Sequence, residues 1–380
     1  MNSLKILHLA NDYAGSAVYK NLVAALDQEG LTQIVYCPVR NASLIDKNKI
    51  GFKNASSQII YSHILNKTTD RIIYPLKIKK ILRDIERKID LSQVNFIHAH
   101  TWYSDGGVAY FLSRKYNIPY ITAIRNTDLN LFQKRLFYLR PFGRKILNRA
   151  IRVILIAASY KKRILSQNSL QSIKSDLEKK IKTIPNGVDP YWIANTISSP
   201  KTRTDKIFNV LFIGKFTKSK NIVALQHAVR LLNQENNKSI KLHIVGGGGR
   251  KLKEVITNVE QYPDVFKYYG QIFDKDELLK CFRNCDVFAM PSKYETFGLV
   301  YVEALLQGMP ILYQKNEGID GFYDEKIGEA VTVGDAEEIK EKLRLLYENF
   351  DSYEFNIPLI KQNHDWRLIA KEYLAIYEHQ

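Results

Sequence analysis

Cysteine is almost missing from this 380-residue chain, which has only Cys37, Cys281 and Cys285. So odd and sparse a set excludes a framework of paired disulfides and fits a reducing compartment, the cytoplasm. Cys281 and Cys285 are four apart and share a helical face, yet no neighbouring Cys or His pair completes a four-ligand zinc site, so both read as core residues. Long apolar runs are missing too: none approaches the roughly 18 to 20 residues of a bilayer-spanning helix. The apolar run from Leu4 to Ala10 ends in Asn11-Asp12 without a cleavage-like segment, so neither spanning nor export is expected. Glycine and proline, 19 and 11, are too few for a low-complexity or collagen-like chain. Acid is scarce in one half only. Residues 1–190 hold 31 Lys and Arg against 13 Asp and Glu, whereas 191–380 hold 25 against 26, so the whole net charge of +17 belongs to the first half. That half is expected to face something anionic.

At this length, with 45% hydrophobic and 25% charged residues, the chain has room for two or three folded domains. Short apolar runs alternate with amphipathic stretches at Leu4–Leu9, Ile34–Cys37, Phe96–His100, Tyr120–Ile124, Ile151–Ala157 and Ile181–Ile184. The rhythm starts afresh at Asn209–Ile213, Leu242–Val245, Val287–Met290, Ile311–Leu312 and Ala330–Val333. Buried strands alternating with helices make parallel sheets, so the class is α/β with two doubly wound, Rossmann-like domains. Turn residues cluster from Pro185 to Pro190, and periodicity vanishes over Thr196–Asp205. The expected division is a domain over 1–186, a linker over 187–206, a second domain over 207–362 and a terminal helix over 363–380 that packs back on the first domain. Ligands of open α/β sheets lie beyond the carboxyl ends of the strands, so the two domains are expected to face each other across a cleft.

The most informative segment runs from Asp286 to Pro310 and reads as strand, loop, helix, glycine cap and next strand. Phe297, Gly298 and Leu299 fall where the loop enters the helix, so their free N–H groups and the positive helix end make an anion site. Glu295 precedes that entry and Glu303 comes after it, eight positions on. A helix would separate them by about 12 Å, too far for the roughly 5 to 9.5 Å of a hydrolase carboxyl pair, so they suit different parts of one extended ligand. At another strand end, Gly214-Lys215-Phe-Thr-Lys218-Ser-Lys220-Asn221 offers ammonium groups suited to a diphosphate. The glycines 246–249 permit close approach of a ligand or a neighbouring loop but lack the Gly-Lys-Ser/Thr end of a P-loop. In the basic half, Asn11 to Ala17 forms a candidate phosphate-facing turn at Gly15 and Ser16. His98 and His100 alternate onto one side of their strand, with His100 nearer its end.

Together these segments resemble the retaining glycosyltransferases of family 4, which have the two-Rossmann-domain GT-B architecture. The strongest likeness is the Glu-x7-Glu pattern of Glu295 and Glu303, and six motifs fall in the family's order. The resemblance implies that Glu303 holds the ribose hydroxyls of a nucleotide sugar and Glu295 the hydroxyls of the transferred sugar. It further implies that Lys215 and Lys220 clamp the diphosphate, that Phe297 to Leu299 and the Gly15-Ser16 turn add backbone amides, and that His100 sits beside the reacting sugar. The family usually has Arg at Lys215, Gly at Asn221 and a second Gly at Ser16. Arg125 stands where many relatives carry His, so Arg125 and Asp128 are candidates for a distinct acceptor contact. The reaction that the resemblance implies is a metal-independent transfer, without a cofactor, from a nucleotide sugar (a uridine diphosphate sugar being the commonest donor) to a glycan or lipid-linked acceptor in bacterial surface polysaccharide synthesis.

Two basic stretches, Lys77 to Lys88 and the aromatic-rich Phe132 to Arg149, suit an anionic membrane surface, so a cytoplasmic protein peripheral to the inner face of the plasma membrane is expected. A nucleic-acid-binding protein would use the same basic half, but it leaves the phosphate loops of the neutral half unexplained, and no zinc finger or RNP motif is present. A GT-B epimerase or phosphorylase is the nearer alternative.

Overall fold

The computed structural model describes residues 4–66, 69–203, 207–236 and 239–378. Part of the expected linker, residues 204–206, therefore lies outside the described residues. The chain divides into two compact units, one of residues 1–156, 160–187 and 366–380, the other of 157–159 and 188–365.

The first unit is built on seven parallel strands, β1 (Lys5–Leu9), β2 (Thr32–Val39), β3 (Gln58–His63), β4 (Phe96–Ala99), β5 (Tyr120–Ile124), β6 (Arg152–Leu155) and β7 (Ile181–Thr183), in the order β3-β2-β1-β4-β5-β6-β7. Chain order reverses between β1 and β4, which makes their carboxyl ends the switch point. On one face the helix Trp366–Glu378 packs beside the helix Ala17–Gln28, burying Trp366, Ile369, Tyr373 and Tyr377 against Ile6, Leu22, Leu26 and Phe96. Gly187 is required there, because a Cβ on it would fall 2.6 Å from the Trp366 ring.

The second unit holds six parallel strands, β8 (Phe208–Lys215), β9 (Ile240–Gly247), β10 (Phe266–Tyr268), β11 (Val287–Ala289), β12 (Ile311–Gln314) and β13 (Gly328–Val331), in the order β10-β9-β8-β11-β12-β13. Its switch point falls between β8 and β11. Among the described residues, no helix is long and apolar enough to cross a membrane.

Three expectations change. The segment after Gly187 is no free linker: it forms the helix Pro190–Ala194, buries Trp192, and pairs Ile197 N–H with Leu306 O and Lys201 N–H with Gly308 O. Lys201 Nζ donates to the carbonyls of Phe282, Arg283 and Cys285, tying the segment to the second unit. Cys285 lies beyond the helix Lys275–Arg283, so it shares no helical face with Cys281, although both are buried and free. Lys77, assigned to a basic surface, is buried and donates to Ser104 Oγ at 2.8 Å.

Candidate functional site

In the second unit the candidate residues gather at the carboxyl ends of β8, β9 and β11. Lys215 ends β8 directly opposite Gly247 of β9, exposed and without a hydrogen bond or ion pair among the described residues. The glycines that end β9 and continue past it let this loop approach. A Cβ at Gly246 would lie 1.9 Å from Gly214 O and one at Gly249 2.2 Å from Phe216 O. The four-glycine stretch therefore admits a neighbouring loop, the second of the two uses it permits. The β8 loop is stitched in turn to the β11 loop, since Lys293 N–H donates to Ser219 O at 2.8 Å and Lys220 Nζ donates to Glu295 at 2.5 Å. Lys220 and Glu295, 75 positions apart, thus meet. Their side chains remain 26% and 14% exposed, so each can still reach a ligand. Asn221, where the resemblance led us to expect glycine, takes the left-handed conformation, φ 61°, and its Nδ2 donates to Gly334 O. Asparagine tolerates that region, so the departure preserves the turn.

The helix Leu299–Leu306 begins after Gly298, whose φ of 79° and contact with the Tyr301 ring leave no room for a Cβ. Phe297 turns its ring into the core against Phe322 and His364, so only its backbone serves the helix entry. Glu317, which sequence reasoning missed, accepts from Glu295 N–H at 3.2 Å and orients that loop. Glu303 is partly buried one turn into the helix, and burial, with Asp189 adding, pushes its carboxyl up to about 7 against the pull of Lys275. Asp189 caps the helix Pro190–Ala194 and pairs with Lys275 at 2.7 Å. A solvated helix face does not describe this glutamate.

In the first unit the turn after β1 is held by Asn11, whose backbone and side-chain amides both donate to Asp105. Burial pushes the Asp105 carboxyl up to about 7, opposed by Lys77. Ser16 caps the helix Ala17–Gln28 with extended backbone, and Gly15 before it is exposed. His100, expected beside the reacting sugar, has its ring wholly buried, stacked on His98 at 3.9 Å and 3.1 Å from His8. Burial holds all three imidazoles neutral, His8 down to about 3 and the other two well below their ordinary value. His8, which sequence reasoning did not single out, stands opposite His98 in the β1–β4 register.

The nitrogens of these three histidines lie within 4.8 Å of one another, a donor set that suits a metal ion. His98 and His100 are stacked with only 22° between their planes, so their in-plane lone pairs run side by side instead of converging. The geometry fits packing better than coordination. Burial pushes the Asp128 carboxyl up to about 6, and its oxygens accept from the N–H groups of Trp102, Tyr103 and Arg125, which holds the turn after β5. Arg125 reaches over the strand ends, donating to His100 O and Asn186 Oδ1 at 3.1 Å each, above the Tyr19 ring.

Comparison with known proteins bears on the family and the fold. The stretch 15–192 matches the family described as Glycosyltransferase Family 4, and 195–362 matches Glycosyl transferases group 1. An uncharacterised glycosyltransferase of Methanocaldococcus jannaschii is 25% identical over 254 residues, 62% of either chain. The match spans less than two thirds of that relative, and 26% and 33% of two other curated ones. Sucrose-phosphate synthase from Thermosynechococcus elongatus superposes with a TM-score of 0.71 at 18% identity, covering 98% of each chain. HepE of Anabaena, in complex with UDP-glucose, gives 0.62 at 18% identity over 99% of this chain and 100% of its own. Two parallel-sheet domains of Rossmann type, each matched by one of these two models, place the chain among the GT-B glycosyltransferases of the family 4 kind.

Proposed function

We propose that the protein transfers a sugar, with retention of configuration, from a nucleotide diphosphate sugar to a glycan or lipid-linked acceptor in bacterial surface polysaccharide synthesis. The observation that carries this reading is the convergence of Lys215, the Lys220–Glu295 pair and the helix entry Phe297–Leu299 at neighbouring strand ends. Breaking a sugar to diphosphate bond demands stabilisation of the departing charge, which preorganised ammonium groups and amides supply. Lys215 and Lys220 neutralise the diphosphate, and the amides at the helix entry add to that field. Glu295 holds hydroxyls of the moving sugar, and Glu303 those of the ribose. The likeness to HepE, a structure holding UDP-glucose, makes a uridine diphosphate sugar the first donor to try.

Because the lysines supply the cationic field, transfer needs no divalent ion, and turnover is expected to persist in excess EDTA. In a calorimetric titration with UDP-glucose and related donors, Glu303→Ala is expected to weaken binding roughly 10- to 100-fold, the worth of a charge-assisted hydrogen bond. Unchanged affinity removes Glu303 from the site. The acceptor side belongs to the basic first unit, whose segment Leu131–Lys145 carries exposed aromatics among cations and suits the inner face of an anionic membrane.

A further inference from the structure

Arg125 is the first residue beyond β5, in the zone past the strand ends where open α/β sheets take ligands. It is only 9% exposed, yet no carboxylate lies within ion-pair distance of it among the described residues. Nε and Nη1 are held by His100 O and Asn186 Oδ1, while Nη2 makes no hydrogen bond among the described residues. Two of the five guanidinium N–H groups are therefore fixed, and these set the plane of the remaining edge.

No acid reaches its guanidinium as an ion pair among the described residues. The nearby histidine rings are held neutral by burial, and Arg125 itself helps to keep His98 and His100 uncharged. Asp128 attracts Arg125 from a distance, but its oxygens accept from three backbone N–H groups and none is paired with the guanidinium. A nearly buried guanidinium edge that no acceptor fills is costly to keep. The planar fork of a guanidinium matches two oxygens of one anion and not a single hydroxyl.

We infer that the free edge of Arg125 is an anion site that takes the carboxylate or phosphate of an acidic acceptor. The inference rests on the proposed function, in which the second unit holds the donor diphosphate and so leaves Arg125 to a different anion. The acceptor is thus an acidic sugar or a phosphorylated one, and Arg125 selects it over its neutral counterpart.

The test uses the full chain and three probes, glucose, glucose 6-phosphate and glucuronate, titrated calorimetrically with a parallel titration of UDP. Wild-type protein is expected to bind at least one anionic sugar in the millimolar range or tighter and to bind glucose more weakly. Preference for glucose 6-phosphate identifies a phosphate acceptor, and preference for glucuronate a carboxylate. Arg125→Gln is expected to lose about 10- to 100-fold in that affinity. Should circular dichroism show Arg125→Gln unfolded, Arg125→Lys, which keeps the charge and loses the fork, carries the comparison with the same expected direction. The inference is overturned if neither anionic sugar binds better than glucose, or if the folded variant binds them as wild type does. Failure of wild type to bind UDP sinks the donor reading instead, independently of the sugar titrations.

Discussion

Glu303 shows how one side chain can cost the fold something. Its carboxyl, ordinarily near 4.5, is raised to about 7 mainly by burial. A raised acid contributes stability that is fully present below the unfolded value and is lost as pH rises through about 7. At pH 8 the ion therefore weakens the ligand-free protein by on the order of 3 kcal/mol. Glu303→Gln is expected to raise the melting temperature at pH 8, leave it nearly unchanged at pH 4, and weaken nucleotide-sugar binding at both. Differential scanning fluorimetry with and without UDP-glucose checks all three, and a variant no more stable at pH 8 means the carboxyl is not desolvated. The residue types at this site were legible because spacing and strand ends announce them. Burial was not: alternation placed His98 and His100 on one side of a strand but did not reveal that the helix Trp366–Glu378, more than 260 positions later, would cover that side.

Eleven of the thirteen strands are marked by apolar runs, and the two that are not, β3 and β10, are the edge strands of their sheets. An edge strand needs no continuous apolar run, and β3 is mostly half-exposed or exposed. The central pair β1 and β4 carries its own pH signature through the stacked histidines. The unfolded chain takes up protons near pH 6.5, while His8 in the fold resists until about 3, so its contribution is present above 6.5 and lost as pH falls. Asp105 and Asp128 act in the opposite sense, contributing below their ordinary 3.8 and losing that as pH rises through about 7 and 6. Between a group's folded and unfolded values, each such shift is worth roughly 1.4 kcal/mol per pH unit. His8→Gln costs packing at every pH, but on acidification its unfolding free energy is expected to gain on wild type by about 1.4 kcal/mol per pH unit. Urea titrations at pH 6, 5 and 4 measure that slope, and a constant gap between the two proteins shows that His8 is not buried neutral.

On the scale of the whole chain, the charge is divided as the sequence divides it, and the basic part carries an apolar wedge that composition alone does not disclose. Phe137 and Tyr138 are 65% and 56% exposed, flanked by the exposed Lys134, Arg135, Arg144 and Lys145. The wedge is anchored from below. Leu139 is buried, Gln133 donates to Tyr103 Oη at 2.7 Å, and Arg140 donates back to Gln133 O, so the exposed rings stand on a fixed base. Against an anionic bilayer, the surface proposed for this face, two separable forces would act: long-range attraction, screened within about 8 Å at physiological salt, and short-range burial of aromatic surface, which salt does not screen. In flotation with phosphatidylglycerol vesicles, Lys134→Glu with Arg135→Glu is expected to abolish binding at low salt. Phe137→Ser with Tyr138→Ser is expected to leave low-salt capture largely intact but to release the protein as salt reaches physiological strength. Wild-type protein that ignores acidic vesicles at low salt rules out the membrane face. Equal salt sensitivity of wild type and the Ser pair would assign the interaction to charge alone and leave the exposed rings without a part in it.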